Sequence, residues 1–226
     1  ISAPKDLFGD NQRNGKHSEK GSLTFQQDGD TYTLSKATVG NTPTVENLEK
    51  FALTSQGVWS NNFWVMDGVE YEGRDPLFGE KDGVRPLSDD YKNHNSFFSM
   101  QFQVDFELTD NYVGPLDYIF FGDDDMWVFL SEIDDDGKII QQADGQYGKL
   151  VCDIGGVHPS VGEYVNLWDY IAPGQGPEGV HETKKYRLSF FYTERGASGS
   201  TCWMQFTLPN VTSPEVGEIH NDTYYS

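Results

Sequence analysis

The segment from Phe98 to Leu108 constrains the fold most strongly, because its hydrophobic residues alternate strictly with polar ones. Ser, Gln, Asp and Glu occupy the intervening positions. A period of two is typical of a strand with one face buried and the other in solvent. The segment therefore predicts a half-buried strand, with an inward face made of Met100, Phe102, Val104, Phe106 and Leu108.

Other short apolar segments with turn residues between them continue this pattern along the chain. An Asp-Gly-Asp turn separates two strand-like segments within residues 21–39. Many short strands with turns at near-regular intervals predict an all-β protein, an antiparallel β-sandwich or barrel with long decorated loops. The further predicted strands are 116–122, 126–132, 149–156, 164–171, 184–196 and 200–209.

The one segment with helical periodicity is 41–58, where Thr44 is placed to cap a helix. The chain has 226 residues, of which 14 % are aromatic, enough for one sizeable core. We expect a loosely ordered N-terminal segment (1–20), a single β-sandwich domain (21–210) and a linker to a next module (211–226).

The chain is strongly acidic, with a formal net charge of −20. Such a charge repels nucleic acid and anionic membranes, and the sequence has no run of apolar residues long enough to span a bilayer. We therefore expect no nucleic-acid partner and no membrane insertion. The acidity fits either a soluble extracellular protein or one that binds hard cations.

The two cysteines, Cys152 and Cys202, each lie in a strand-like apolar segment. Neither belongs to a Cys-x-x-Cys motif, so a zinc site is not indicated. A disulfide between neighbouring strands of an exported protein is our first interpretation. Two buried free thiols are the alternative.

Three consecutive carboxylates, Asp123, Asp124 and Asp125, separate two apolar strands in the stretch FFGDDDMWVFL. They must occupy a short loop at one end of the sandwich. Adjacent carboxylates repel one another unless a cation neutralises them, and calcium prefers six to eight oxygen ligands. The pattern alone leaves two interpretations open, a calcium site and a solvated acidic turn.

Three other segments carry residue types that occur in sites. Glu132 to Gly137 resembles the start of an EF-hand loop, but Ala143 stands where the bidentate acid belongs, which favours a hairpin turn. His158, after two glycines, is a candidate ligand-binding residue, a base or a structural histidine. Glu194 and Arg195 at a strand end are more typical of an ion pair than of a catalytic couple.

Motifs for catalysis are missing from the sequence. It has no Gly-x-Ser-x-Gly, no His-Glu-x-x-His and no Cys–His pair in a plausible setting. Acidic residues are too abundant for a pair of them to indicate glycoside hydrolysis. We expect that the protein is not an enzyme.

Four blocks occur in an order that resembles a known family: HNSFFSMQF, FFGDDDMWVFL, VCDIGGVHPSVGEYVNLWDYI and LSFFYTERGASGSTCWMQFTLP. Together they resemble the fibro-slime domain of bacterial surface adhesins, within the protective-antigen-type, flocculin-related lectin-like superfamily. The resemblance covers residues 93–209. It implies a β-sandwich or barrel.

In sugar-binding members of this superfamily, two consecutive aspartates joined by a cis peptide bond hold calcium, which in turn binds sugar hydroxyls. The resemblance assigns Asp123 and Asp124 to that pair. Asp125 has no clear counterpart in it, and we expect Asp125 to be an added ligand, an acid that supports the ligands, or a partner of Arg195. It also implies that a later loop completes the calcium shell. That loop corresponds to Gly196, Ala197, Ser198, Gly199 and Ser200, and it lacks the asparagine that the sugar-binding members offer.

The resemblance thus implies a calcium-dependent glycan-binding module of a bacterial cell-surface adhesin. We expect a secreted or cell-surface location, with anchoring to the cell wall through another part of the protein, and a monomeric module. Its partner would be a cell-surface glycan or a receptor on a host or neighbouring cell. The alternative is a structural or protein-binding module at the tip of a surface fibre, in which calcium only stabilises loops.

Overall fold

The fold is given by a computed structural model, which describes residues 18–34, 63, 98–140, 145–156, 158–194, 200–212 and 218–225. Ten antiparallel strands account for most of these residues. The strands are β1 (Ser18–Asp28), β2 (Thr31–Leu34), β3 (Phe98–Leu108), β4 (Asp117–Gly122), β5 (Asp125–Ile133), β6 (Lys149–Ile154), β7 (Val161–Asn166), β8 (Lys184–Glu194), β9 (Cys202–Thr207) and β10 (Glu218–Tyr225). The predicted all-β class is confirmed.

Two antiparallel sheets pack face to face as a sandwich. The first has the strand order β6-β5-β8-β3-β10-β1, and the second has the order β1-β2-β9-β4-β7. Strand β1 belongs to both, since its first half pairs with β10 and its second half with β2. The two sheets are therefore joined at one side and end in the edge strands β6 and β7 at the other.

The core lies between the sheets and is rich in aromatic rings. The predicted inward face of β3 is confirmed, since all five of its apolar side chains are buried. Phe190 of β8 stacks on Phe102 within the first sheet, with ring centroids 4.4 Å apart. It also contacts Tyr118 of the second sheet edge-on, at 5.3 Å. Aromatic contacts of this kind hold the two layers together beyond simple area burial.

Residues 164–171, predicted as one strand, change structure part-way. Strand β7 ends at Asn166, and a short helix, α1, spans Trp168–Ile171. The Asn166 side chain accepts a hydrogen bond from the Trp168 backbone N–H, and the Trp168 indole donates to the Gly114 carbonyl. The apolar, strand-like composition did not predict this helix, whose first residue has these two polar partners. A 3-10 helix follows at Gly176–Gly179.

The C-terminal segment also differs from its sequence interpretation. Residues 211–226 were predicted as a linker, but Glu218–Tyr225 pairs with β1 and with β3 inside the first sheet. Strand β10 lies between β1 and β3 in the first sheet and pairs with both. Its composition is mostly polar, so the sequence has no apolar alternation there that would predict a strand. The predicted helix at 41–58 and most of the predicted N-terminal segment lie outside the described residues.

Both cysteines are free and buried, so the predicted disulfide is wrong. Cys152 lies on β6 of the first sheet, whereas Cys202 lies on β9 of the second. The prediction required neighbouring strands, and these strands belong to opposite layers. Burial raises the pKa of both thiols, which keeps them protonated at neutral pH.

Candidate functional site at the acidic crossover

The three consecutive acids lie where the chain crosses from one sheet to the other. Strand β4 ends at Gly122 in the second sheet, and β5 begins at Asp125 in the first. Asp123 and Asp124 form the crossover, at one end of the sandwich as the sequence predicted. The peptide bond between them is cis, as the resemblance implied.

Asp123 is held by hydrogen bonds on both its backbone and its side chain. Its N–H donates to the Thr201 carbonyl at 3.1 Å, and its carboxylate accepts from the Thr201 N–H at 2.8 Å. The Ser160 hydroxyl also bonds to this carboxylate. The start of β9 and the loop before β7 therefore converge on one aspartate.

Gly122 permits this close approach of strands β4 and β9. A Cβ atom built at Gly122 would lie 2.1 Å from the Thr201 carbonyl oxygen. Backbone cannot move away as a flexible side chain can, so only glycine fits at this position. The glycine that precedes the acids thus belongs to the architecture of the site.

Tyr192 of β8 fixes the same crossover from the core side. Its hydroxyl donates to the Asp123 carbonyl oxygen at 2.6 Å and lies 3.1 Å from Glu194 Oε2. The Tyr192 ring is fully buried, with Phe63 edge-on against it at 5.7 Å. Burial, and then the charge of Glu194, raises the pKa of this tyrosine.

Among the described residues, the carboxylate side chains of Asp123, Asp124, Asp125 and Glu194 gather at this end of the sandwich. The last three are almost fully buried, at 2, 2 and 1 % exposure. Asp125 accepts a hydrogen bond from the Gly156 N–H. Its predicted partner Arg195 lies outside the described residues.

Burial raises the pKa of the Asp123 carboxyl to about 6, and the charge of Asp124 adds to the effect, although the Thr201 N–H opposes it. Because this pKa exceeds the unfolded value of 3.8, the folded chain binds the proton more tightly than the unfolded chain does. The resulting stability is complete below about pH 4 and is lost as the pH rises to about 6. A cation bound to the carboxylate would reverse this trend, because it stabilises the charged form.

The oxygen donors at the crossover suit a hard cation such as calcium. Carboxylates come from Asp123 and Asp124, and the backbone carbonyls of Asp123 and Thr201 lie at the same crossover. Among the described residues, however, no three His, Cys, Asp or Glu side chains are arranged as a metal site. A calcium shell here would need oxygens from the predicted loop, of which Gly196 to Gly199 lie outside the described residues.

Two predicted ligand-binding residues are described. Ser200 is fully buried, and its hydroxyl donates to the Phe63 carbonyl at 2.7 Å, while its own carbonyl accepts from the Phe63 N–H. His158 is partly buried, with Nδ1 2.8 Å from the Pro159 carbonyl. Since a carbonyl only accepts, Nδ1 must donate, and the ligand roles of both residues stay predictions.

The second acidic segment has the structure of the predicted hairpin turn. The Asp134 carboxylate accepts from the backbone N–H groups of Asp136 and Lys138, each at 2.9 Å. Asp135 pairs with Lys185 at 2.8 Å. These acids are therefore engaged in closing the turn.

The sequence interpretation placed Glu194 in an ion pair with Arg195 and not at the crossover, and it did not single out Ser160 or Tyr192. A signal for Glu194 was present, since it continues the inward-facing series Leu188, Phe190 and Tyr192 along β8. An acid in an inward series has to find a partner in the core. No local signal distinguished Ser160, because it reaches Asp123 only through the pairing of β4 and β7.

Comparison with known proteins finds relatives in Dictyostelium discoideum. The chain is 28 % identical to the protein psiI over 166 residues, which covers 74 % of this chain and 18 % of psiI. It is 29 % identical to psiD over 73 % of this chain and 26 % of psiD, and 27 % identical to psiP over 90 % of this chain and 22 % of psiP. The chain thus spans about a quarter or less of the length of these relatives.

No family model matches the chain, and no solved structure does. The resemblance to the fibro-slime domain accordingly stays a prediction. Within the described part of the chain, no helix has the length and apolar character needed to cross a membrane.

Proposed function

We propose that this chain is a calcium-dependent glycan-binding module of a cell-surface adhesin. The observation that supports the proposal most directly is the placement of Asp123 and Asp124 at the sheet crossover, with Asp123 fixed by Thr201 and Ser160. The remaining calcium ligands would come from backbone carbonyls and from the loop 196–200. The bacterial origin and the cell-wall anchoring implied by the resemblance remain part of this proposal.

The residues of the chain would act in defined ways at such a site. Asp123 and Asp124 would supply the negative charge that holds calcium. Thr201, Ser160 and Tyr192 would keep the Asp123 oxygens in place, which lowers the cost of ordering them on binding. Bound calcium would supply open coordination positions for ligand hydroxyls.

One observation favours a second candidate, a structural or protein-binding module. Asp124 and Asp125 are each only 2 % exposed, which suits an ion that ties loops together without meeting a sugar. In that case calcium would raise the melting temperature, yet no glycan would bind. We propose a binding role, not an enzymatic one, in either case.

A glycan array with the wild-type chain, in calcium and in EDTA, tests the proposal. The expected result is calcium-dependent binding to a subset of glycans that Asp124→Asn abolishes. Asp135→Asn is the matched control, because it removes one carboxylate from the other run of three aspartates, Asp134 to Asp136, in the hairpin turn. A blank array combined with a calcium-induced rise in melting temperature would support the structural module instead.

A further inference from the structure

A groove at the opposite end of the sandwich has the properties of a second binding site. Strand β5 runs away from the acidic crossover, and Ile133 at its far end pairs with Lys185 near the start of β8. Eight residue steps along a strand separate the two ends by roughly 25 Å. A cavity of about 310 Å³ lies here, lined in part by Glu132, Lys149, Tyr170, Ile171, Lys184 and Tyr186, which we call the Lys184 groove.

Two further hollows adjoin the groove and share Lys184 as a wall. One, of about 240 Å³, also shares Ile171 and Tyr186, and the other, of about 370 Å³, shares Glu132. Ligand-binding clefts in proteins start at about 300 Å³. The groove alone therefore has room for one small ligand, and the adjoining hollows could hold its continuation.

Two carboxylates flank the Lys184 ammonium group: Glu132 in the groove, and Glu182, which is largely exposed, in the adjoining hollows. Lys184 Nζ lies 3.4 Å from Glu132 Oε2 and 3.3 Å from Glu182 Oε1. The side chains of Lys184 and Glu132 are partly buried, at 34 and 20 % exposure. Their polar atoms are thus held in place yet still reachable from solvent.

The mixture of charges selects against ionic ligands. An anion would meet the carboxylates of Glu132 and Glu182, and a cation would meet the ammonium groups of Lys149 and Lys184. Hydroxyl groups donate and accept at once, so neighbouring hydroxyls match an alternating row of acceptors and donors. A neutral polyol is the class of ligand that fits.

Two tyrosine rings form part of one wall of the groove, whose surface is otherwise mostly polar. Tyr186 stacks on Phe106 with ring centroids 5.6 Å apart, and Lys149 lies over the Tyr170 ring at 5.3 Å. Ile171 of α1 completes the wall. A sugar ring presents C–H groups that can pack on such aromatic rings while its hydroxyls meet the polar lining.

We propose that the Lys184 groove binds a neutral sugar residue, independently of calcium and of the acidic crossover. This site is separate from the proposed calcium site. A protein that uses both sites would contact one long glycan, or two glycans, at opposite ends of the sandwich. Glu132 and Glu182 accept from the sugar hydroxyls, and Lys184 donates to them.

The test is a two-dimensional ¹H–¹⁵N NMR titration of the full chain in EDTA, with neutral methyl glycosides of common hexoses as probes. EDTA removes any contribution of calcium, so this result does not depend on the acidic crossover. Shifts should be confined to amides near Lys149, Tyr170 and Lys184, with a Kd on the order of 1 mM.

Glu132→Gln keeps the shape of the groove and removes one acceptor charge, so it should raise that Kd by roughly tenfold. Lys138→Met, which removes an exposed cation from the adjacent hairpin outside the groove, should leave the Kd unchanged. Three results would overturn the proposal: no shifts with any probe, equal effects of the two variants, or tighter binding of glucuronate than of the neutral glycosides. The dispersion of the variant spectra reports whether each variant is folded.

Discussion

Removal of the Tyr192 hydroxyl should destabilise the fold, whereas removal of the equally buried Tyr118 hydroxyl should not. In Tyr192→Phe the ring contacts remain, but the Asp123 carbonyl loses its hydroxyl donor inside the core, and the Glu194 carboxylate loses a polar neighbour at 3.1 Å. The loss of a hydrogen bond that leaves buried polar atoms behind costs about 1–3 kcal/mol. We expect a loss of about 2 kcal/mol of unfolding free energy.

Tyr118→Phe is the matched control, because the Tyr118 hydroxyl is buried and has no hydrogen-bond partner among the described residues. Deleting a buried hydroxyl without a partner removes a desolvation cost, so stability should stay within about 0.5 kcal/mol of wild type or rise.

Equilibrium urea denaturation in EDTA measures both variants without involving calcium. For a chain of this size, 2 kcal/mol corresponds to a fall in melting temperature of about 4–8 °C, which calorimetry checks independently. Equal losses in the two variants, or none in Tyr192→Phe, would refute the account of how the crossover is held.

Three further predictions concern pH, packing and the thiols. Because a proton on Asp123 competes with calcium, the calcium-induced rise in melting temperature should shrink as the pH falls from 7.5 to 5, and a pH-independent rise in thermal scans would contradict this. Gly122→Ala should cost at least about 2 kcal/mol in denaturant titrations, since its Cβ would meet the Thr201 carbonyl at 2.1 Å. Gly155→Ala, whose Cβ would make ordinary contacts from 3.5 Å, should be tolerated, and similar losses in both would argue against the close β4–β9 approach. Finally, thiol titration of the denatured chain without reductant should give two free thiols, and reductant should leave the melting temperature unchanged; one disulfide per chain would contradict the free cysteines.

The strands were predictable from sequence wherever one face is buried and the other is not. Strand β3 shows this best, because its period of two reflects the side of the sheet on which each residue lies. The place of Asp123 and Asp124 was also predictable, since acids between two apolar strands must lie at an end of the sandwich.

Features set by tertiary contacts were not predictable in this way. Trp168 begins a helix, and its indole bonds to the distant Gly114 carbonyl, a contact that no local pattern reveals. Cys152 and Cys202 resembled neighbours in adjacent strands, yet the strand order places them in opposite sheets. Strand β10 is polar and depends on the edges of β1 and β3 for its hydrogen bonds.

Isothermal titration of the wild-type chain with calcium at pH 7.5 tests the central claim most directly. The account predicts one calcium per chain, bound through Asp123 and Asp124, with binding lost in Asp124→Asn and kept in Asp135→Asn. Absence of binding by the wild type, or unchanged affinity in Asp124→Asn, would contradict the assignment of the acidic crossover as a calcium site.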